Sequence, residues 1–181
     1  EGTILRNIED SSFIGLEHEG IRFIYGNLSG ADFNGADLRG ANLSDISFHR
    51  VNFNGANLKG ARMSGCEFLE CSFVGANLQG AILGSSYFGD ANIHSRSLYR
   101  DDVEQDNSSR PTDLRGANLE GARMVFINIR KANLEGANLK GVDLRGAYLI
   151  EQPNLQGADL EGADLRNTWL REVNLEGVNL E

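Results

Sequence analysis

The sequence predicts an all-β solenoid, and three observations carry that prediction. Leu, Phe, Met or Ile recurs at every fifth residue, with 16 such centres from Phe23 to Leu98, 8 from Leu114 to Leu149 and 6 from Leu155 to Leu180. A second period of 20 is superimposed: Phe33, Phe53 and Phe73 form one series, and Phe48, Phe68 and Phe88 another. The intervening residues are dominated by Gly, Asn and Asp, which accept the backbone geometry of tight turns. A short fixed period with one buried residue type per repeat is the signature of a solenoid.

Neither a helix nor a flat strand fits a period of five, because a helix repeats its apolar face at 3 and 4 and a strand at 2. Within a repeat such as Ala36-Asp37-Leu38-Arg39-Gly40 or Ala137-Asn138-Leu139-Lys140-Gly141, the apolar or small residues are the centre and the position two before it. That local spacing of two describes one short extended side that turns before the next. In a long α-helix each of these glycines would cost about 1 kcal/mol against Ala. The period of 20 then means four sides per coil, with like residues stacked on like. The position two before the Phe centres holds Ile46, Cys66 and Ser86 in one series and Val51, Cys71 and Ala91 in the other, whereas the Leu series keep Ala (Ala36, Ala56, Ala76; Ala41, Ala61, Ala81). At a strand spacing of about 4.8 Å per coil, Phe33, Phe53, Phe73, Phe48, Phe68 and Phe88 would stack as ring ladders in the core.

The repeat Ala-(Asp/Asn)-Leu-X-Gly, over residues 21–98 and 112–181, resembles the pentapeptide-repeat family. The resemblance implies a right-handed quadrilateral β-helix with the centre and the small residue pointing inward. Thirty repeats at four per coil give seven to eight coils, a rod of roughly 36 Å at strand spacing.

Two places break the period. Between Leu98 and Leu114 lies a polar stretch without the motif, so residues 99–113 read as a protruding loop, where binding residues concentrate on a rigid scaffold. Its candidate contact residues are Tyr99, Asp101, Asp102, Glu104 and Asp106. Asp102, Glu104, Asp106, Ser108 and Asp113 echo a calcium loop, but Asn107 stands where that loop needs Gly and no helix pair flanks it, so the segment reads as a solvated acidic loop without metal. At Ile150-Glu151-Gln152-Pro153 one extra residue shifts the phase, which reads as a bulge. Residues 1–20 carry Ile4, Leu5, Ile8, Phe13 and Ile14 off the repeat and read as a cap on the first coil, so the organisation is a cap over 1–20, β-helix over 21–98, the loop, and β-helix over 114–181 in one structural domain.

Composition narrows function more by exclusion. The net charge of −9 disfavours a nucleic acid or an anionic membrane as direct partner. No apolar run is long enough to span a membrane and no leader is recognisable, so a cytoplasmic location is expected over a secreted or lumenal one; a start at Glu1 is expected to reflect processing or truncation. Cys66 and Cys71 occupy inward small positions and read as core. His49 and His94 follow centres and are expected to face solvent, and no nucleophile, acid–base pair, phosphate loop or metal set emerges, so an enzyme and a cofactor are not expected.

The outward positions hold the remaining candidates. Tyr148 and Trp169, each just before a centre and 21 apart across the phase shift, are expected to be outward neighbours and binding anchors. Arg145 and Arg166 stack like on like, which is unfavourable unless an anion or partner helps, while Glu120, Lys140 and Glu161 alternate in sign. Leu69, Val74, Ile82 and Tyr87 form a looser outward apolar set, and Val125-Phe126 another. The leading functional expectation is a non-enzymatic protein-interaction or regulatory scaffold module, with end-to-end homodimerisation open at the C-terminal coil. The alternative, from the quinolone-resistance branch that the resemblance brings in, is a DNA-mimicking protein that binds topoisomerase (gyrase).

Overall fold

A four-sided coil made of five-residue sides needs one sharp bend per side, and the bend dictates backbone conformation. The computed structural model describes residues 28–89 and 110–181, together with the backbone of residues 4–5 and 22–23. In it the residue two after a centre takes positive φ at corner after corner. Two of the four corner columns are glycine throughout: Gly35, Gly55, Gly75, Gly116, Gly136, Gly157 and Gly177 in one, Gly40, Gly60, Gly80, Gly121, Gly141 and Gly162 in the other, with φ of 59–68°. A Cβ at Gly40, Gly60 or Gly80 would meet nothing within 4 Å. The backbone alone therefore selects glycine there, since a left-handed L-residue costs roughly 1–2 kcal/mol. Hydrogen bonds such as Ala36 N–H to Phe33 C=O (3.0 Å) close each bend as a β-turn with its third residue left-handed, as a type II turn requires.

The other two corner columns flank true strands and relax this rule. Asp45, Ser85, Phe126 and Asn167 on one side, and Arg50, Glu70, Lys131 and Glu172 on the other, hold φ of 54–61° without being glycine. The coil-to-coil bond that Gly35 N–H makes to Asn54 C=O (2.9 Å) recurs at these corners, as Asp45 N–H to Ser64 C=O and Arg50 N–H to Leu69 C=O, both 2.9 Å, so the surrounding ladder holds the same conformation without glycine.

The strands between those corners are β3 (Ser47–His49), β4 (Glu67–Leu69), β5 (Tyr87–Gly89), β6 (Asn128–Arg130), β7 (Tyr148–Ile150) and β8 (Trp169–Leu170), in one parallel six-stranded sheet in chain order. A separate parallel pair joins β1 (Ile4–Leu5) to β2 (Arg22–Phe23). The remaining sides pair by single parallel bridges, giving three further ladders among the described residues; Asp32, Asn52 and Ser72 begin the first, Asp37, Asn57 and Asn77 the second, and Asn42, Arg62 and Ile82 the third. Each rung exchanges bonds with the next, as when Phe33 N–H donates to Asn52 C=O (2.7 Å) and Asn52 N–H donates to Ala31 C=O (3.0 Å). The chain is thus an all-β parallel solenoid.

The steps between rungs locate both breaks. Most pairs are 20 residues apart, as in Phe48↔Phe68↔Phe88. The step from Asn133 to Asn154 is 21, and Glu151 and Gln152 absorb the extra residue as two consecutive left-handed residues (φ 58° and 62°), with Pro153 buried behind them. The step from Ser72 to Asp113 is 41, and no rung stands between them. The expectation of seven to eight coils counts Ile93 and Leu98 as rungs; both, like most of the sequence-defined loop, lie outside the described residues. Thr112 and Asp113, grouped with the loop on sequence, instead belong to the solenoid: Thr112 is fully buried and Asp113 bridges Ser72 and Asn133.

The core is a herringbone of rings. Phe33, Phe53 and Phe73 stack at 5.2 and 4.8 Å, and Phe48, Phe68 and Phe88 stack at 5.0 and 4.6 Å. Edge-to-face contacts such as Phe48–Phe53 (5.4 Å, 76°) and Phe68–Phe73 (5.2 Å, 78°) join the two ladders. Both arrangements suit the ring quadrupole. Beyond Asp113 the same columns continue with Leu114, Ile129, Leu134 and Leu149. In the last coil, Leu170, Leu175 and Leu180 are 41–57% exposed in this chain.

The strand-side corners lack tight turns at several levels, and small inward polar residues serve the carbonyls there. Ser86 Oγ donates to Met63 C=O (2.7 Å), Thr112 Oγ1 shares its one proton between Phe68 C=O (2.8 Å) and Gly89 C=O (2.9 Å), and Cys66 Sγ donates to Leu43 C=O (2.9 Å). Cys66 and Cys71 are free thiols, and burial pushes each up to about 12, so they remain protonated and unreactive in the fold.

Phe53 touches rings on three sides. Phe53→Ala should lower stability by about 3–5 kcal/mol in denaturant unfolding. A loss below about 1 kcal/mol would contradict its place in the ring array.

Candidate functional site

The outward residue before each centre fixes the surface chemistry of a face. On the first and second faces it is nearly always Asn or Asp, and its side-chain oxygen accepts the N–H of the residue after the centre, as in Asn34 N–H to Asp32 Oδ1 (3.0 Å) and Glu135 N–H to Asn133 Oδ1 (3.1 Å). The amides also bond from coil to coil: Asn52 Nδ2 to Asp32 Oδ1 is 3.0 Å, and Asn138 Nδ2 to Asn118 Oδ1 and Asn154 Nδ2 to Asn133 Oδ1 are 3.1 Å. These are the two faces with all-glycine corners, so their residues are committed to holding the coil. Departures from the repeat concentrate on the third face and the strand face, and surface chemistry specific to this chain concentrates there too.

On the strand face the outward positions before the centres run Ser47, Glu67, Tyr87, Asn128, Tyr148 and Trp169, and those after them include His49, Leu69, Arg130 and Ile150. Tyr148 pairs with Trp169 across β7 and β8, with ring centroids 6.2 Å apart and planes 18° from parallel. Trp169 is 62% exposed. A stacked aromatic pair with one ring in water is a large rigid surface that costs little entropy to bury. His49, expected in solvent, is half-buried on this face, and its Nε2 is shielded. The apolar set of Leu69, Val74, Ile82 and Tyr87 divides: Leu69 and Tyr87 lie on the strand face, Ile82 on the third face and Val74 on the first. Phe126, 61% exposed, stands at the corner between the third and strand faces with its ring over Gly146, where an added Cβ would lie 2.5 Å from it.

Sequence spacing alone makes Arg145 and Arg166 like charges stacked on each other; the side chains show why this is tolerated. Each arginine folds back onto the Asp two residues earlier, Arg145 onto Asp143 and Arg166 onto Asp164, both at 2.7 Å, and Arg145 also reaches Asp164 at 3.6 Å. Arg39–Asp37 (2.6 Å) and Arg115–Asp113 (2.7 Å) repeat the motif. Lys140 pairs with Glu161 (2.6 Å) of the expected sign-alternating column, and also with Asp159 (3.1 Å) of the neighbouring column before the centres. Tyr99, Asp101, Asp102, Glu104 and Asp106 lie outside the described residues, so only Tyr148, Trp169, Arg145 and Arg166 of the candidates are placed. They sit close together: the two arginines occupy the third face at the same levels as the two aromatics on the strand face. Among the described residues no group of three His, Cys, Asp or Glu is arranged to hold a metal, and no helix is long and apolar enough to cross a membrane.

Arg166 holds the Asp164 carboxyl down at about 2, and Arg39 and Arg145 likewise lower Asp37 and Asp143 below the ordinary carboxylate range. A depressed folded-state value contributes stability that is present above the unfolded value near 4 and lost as pH falls through the folded value. The denaturation midpoint should therefore drop between about pH 4 and pH 2. In an Arg39→Gln/Arg145→Gln/Arg166→Gln variant the midpoint should be lower at neutral pH and this acid-dependent drop smaller. An unchanged pH dependence in the variant would show that the pairs contribute nothing.

The family model of pentapeptide repeats matches this chain in 8 copies, over residues 26–65, 46–84, 112–149 and 150–181. None of the curated proteins matches it in sequence. Among solved structures, a trypsin-treated variant of QnrB1, a plasmid-mediated fluoroquinolone resistance protein, is similar over 100% of this chain and 92% of its own, at 21% identity and a TM-score of 0.57. HetL, a pentapeptide repeat protein involved in heterocyst differentiation regulation from the cyanobacterium Nostoc sp. strain PCC 7120, aligns over 97% of this chain and 88% of its own at 25% identity with a TM-score of 0.37. A pentapeptide repeat protein, alr5209 from Nostoc Pcc 7120, is 43% identical over 38% of this chain and 56% of its own, with a TM-score of 0.37. With the repeat matched over most of its length and built into a parallel β-solenoid, the chain belongs to the pentapeptide-repeat family.

Proposed function

We propose that this chain is a non-enzymatic protein-interaction module, wound right-handedly as the family resemblance implies, whose partner docks on the strand face. The observation that carries the reading is the stacked Tyr148–Trp169 pair, held outward by a sheet that cannot rearrange without breaking its ladders. Two faces are spent on coil cohesion, and the aromatic pair lies on one of the two that are not. The partner is a protein; the same proposal leaves room for a second copy, which would cover Leu170, Leu175 and Leu180 by end-to-end stacking.

The acidity of the first two faces favours a second reading, a DNA mimic that binds a topoisomerase such as gyrase. Asp32, Asp113, Glu135 and Glu176 on the first face stand against Arg115, and Asp37, Glu120, Asp159, Glu161 and Glu181 on the second against Arg39, Lys59 and Lys140.

Affinity capture from the host lysate with the intact chain and with Tyr148→Ala/Trp169→Ala separates the readings. The first predicts a partner whose binding falls by tenfold or more in the double variant, a hot-spot loss of about 1.4 kcal/mol or greater, while the variant unfolds like the parent. Binding unchanged by both substitutions would remove the aromatic pair as anchor. Inhibition of gyrase supercoiling by the intact chain would promote the second reading, and full supercoiling in large excess of the chain would end it.

A further inference from the structure

The third face carries a second, chemically different feature beside the aromatic strand face. Its outward column before the centres runs Asn42, Arg62, Ile82, Arg123, Asp143 and Asp164, one residue per rung. Arg62 and Arg123 thus stand two rungs apart, about 10 Å at strand spacing, with Ile82 between them. They line an open depression of about 580 Å³, whose apolar surface comes from Ile82, Val125 and Phe126.

These two arginines differ from the rest of their kind in the solenoid. Arg39, Arg115, Arg145 and Arg166 are each folded onto an Asp of their own repeat, and Arg50 and Arg130 onto Glu70 and Glu151 on neighbouring coils. Arg62 and Arg123 make no ion pair among the described residues. The reason is in the repeat: the paired arginines of the faces follow a centre, with Asp before it, whereas Arg62 and Arg123 take the position before the centre themselves and are followed by Ser64 and Val125. The nearest acid down the column, Asp143, is already held by Arg145. One further carboxylate, Asp45, borders the depression. In a chain of net charge −9, two guanidinium groups without an ion pair thereby stand around one hollow, against the single carboxylate of Asp45.

We propose that this depression docks an acidic segment of a partner protein, two of whose carboxylates engage Arg62 and Arg123 while an aliphatic residue between them lies on Ile82 against Phe126. Guanidinium forks match carboxylates in bidentate geometry, and the apolar floor selects a protein segment over a polyphosphate backbone, which the chain's overall charge also repels. The proposal rests on the interaction-module reading and gives the partner a chemistry.

The test is selection of a displayed library of random octapeptides on the intact chain. Enriched peptides are expected to carry two Asp or Glu bracketing Leu, Ile or Val, and Arg62→Glu/Arg123→Glu should weaken their binding by ~10-fold or more. Lys59→Glu/Arg171→Glu, an equal change of net charge elsewhere, should weaken it far less. Circular dichroism of all variants should match the parent, since none of these side chains is in the core. Enrichment of neutral or basic peptides, no enrichment at all, or equal losses in both charge-reversed variants would each overturn the proposal. Tyr148→Ala/Trp169→Ala reads out the other reading independently: peptides lost there but retained in Arg62→Glu/Arg123→Glu would uphold an interaction module and overturn the groove.

Discussion

Coil closure in twenty residues is the constraint on which the rest depends. Four five-residue sides, each ending in a left-handed residue, bring the chain back above itself in register, so a residue always meets its counterpart one rung away. Parallel pairing of like with like follows, and with it the ring ladders, the Asn ladders and the flat strand face. None of these is stable alone: a two-residue strand or a single bridge has too few bonds to offset the entropy of ordering it. Stacking makes each rung the template for the next, and stability accumulates between neighbours.

The four sides are not equivalent, and the difference explains where variation is tolerated. On the first two faces the corner is a tight turn with glycine at its left-handed position, and an Asn or Asp before the centre nearly always receives the N–H after it. Where the corner adjoins the strand face, Ser85, Phe126 or Glu70 takes the left-handed conformation in place of glycine. Relaxed corners free the adjacent outward positions from cohesion. The aromatic pair, and Arg62 with Arg123, lie on faces beside relaxed corners.

Much of this is legible in the sequence, because a period is a global statement. Phe33, Phe53 and Phe73 at intervals of 20 are the rings that stack, and the extra residue near Pro153 is the one that lengthens the step to 21. The inequality of the faces is less legible, though a signal exists: by column, two corners are glycine at every repeat through Gly75 and Gly80 and again from Gly116 and Gly121, and two are not. The neutralisation of Arg145 and Arg166 is hidden because stacking distance points to the neighbouring coil, whereas the partner is two residues away on the same side. His49 departs from its expected place in solvent because the position after a centre is half-covered on a strand face. The direct step from Ser72 to Asp113 is not legible either, since Ile93 and Leu98 continue the period of five while nothing in a period says which rungs pair.

Local repeats of five and closure of the coil at twenty make different demands, and deletion separates them. Removing residues 53–72 takes out twenty residues and leaves every column in register; removing residues 53–57 takes out one perfect repeat and turns all later residues by one face. The denaturation midpoints of the two shortened chains are the most direct comparison. Closure at twenty predicts that the larger deletion unfolds cooperatively near the parent midpoint. It also predicts that the smaller one falls well below, with Phe columns set against Leu and glycine corners against strand corners. A smaller deletion as stable as the larger would show that the repeat of five alone holds the solenoid and would contradict the account.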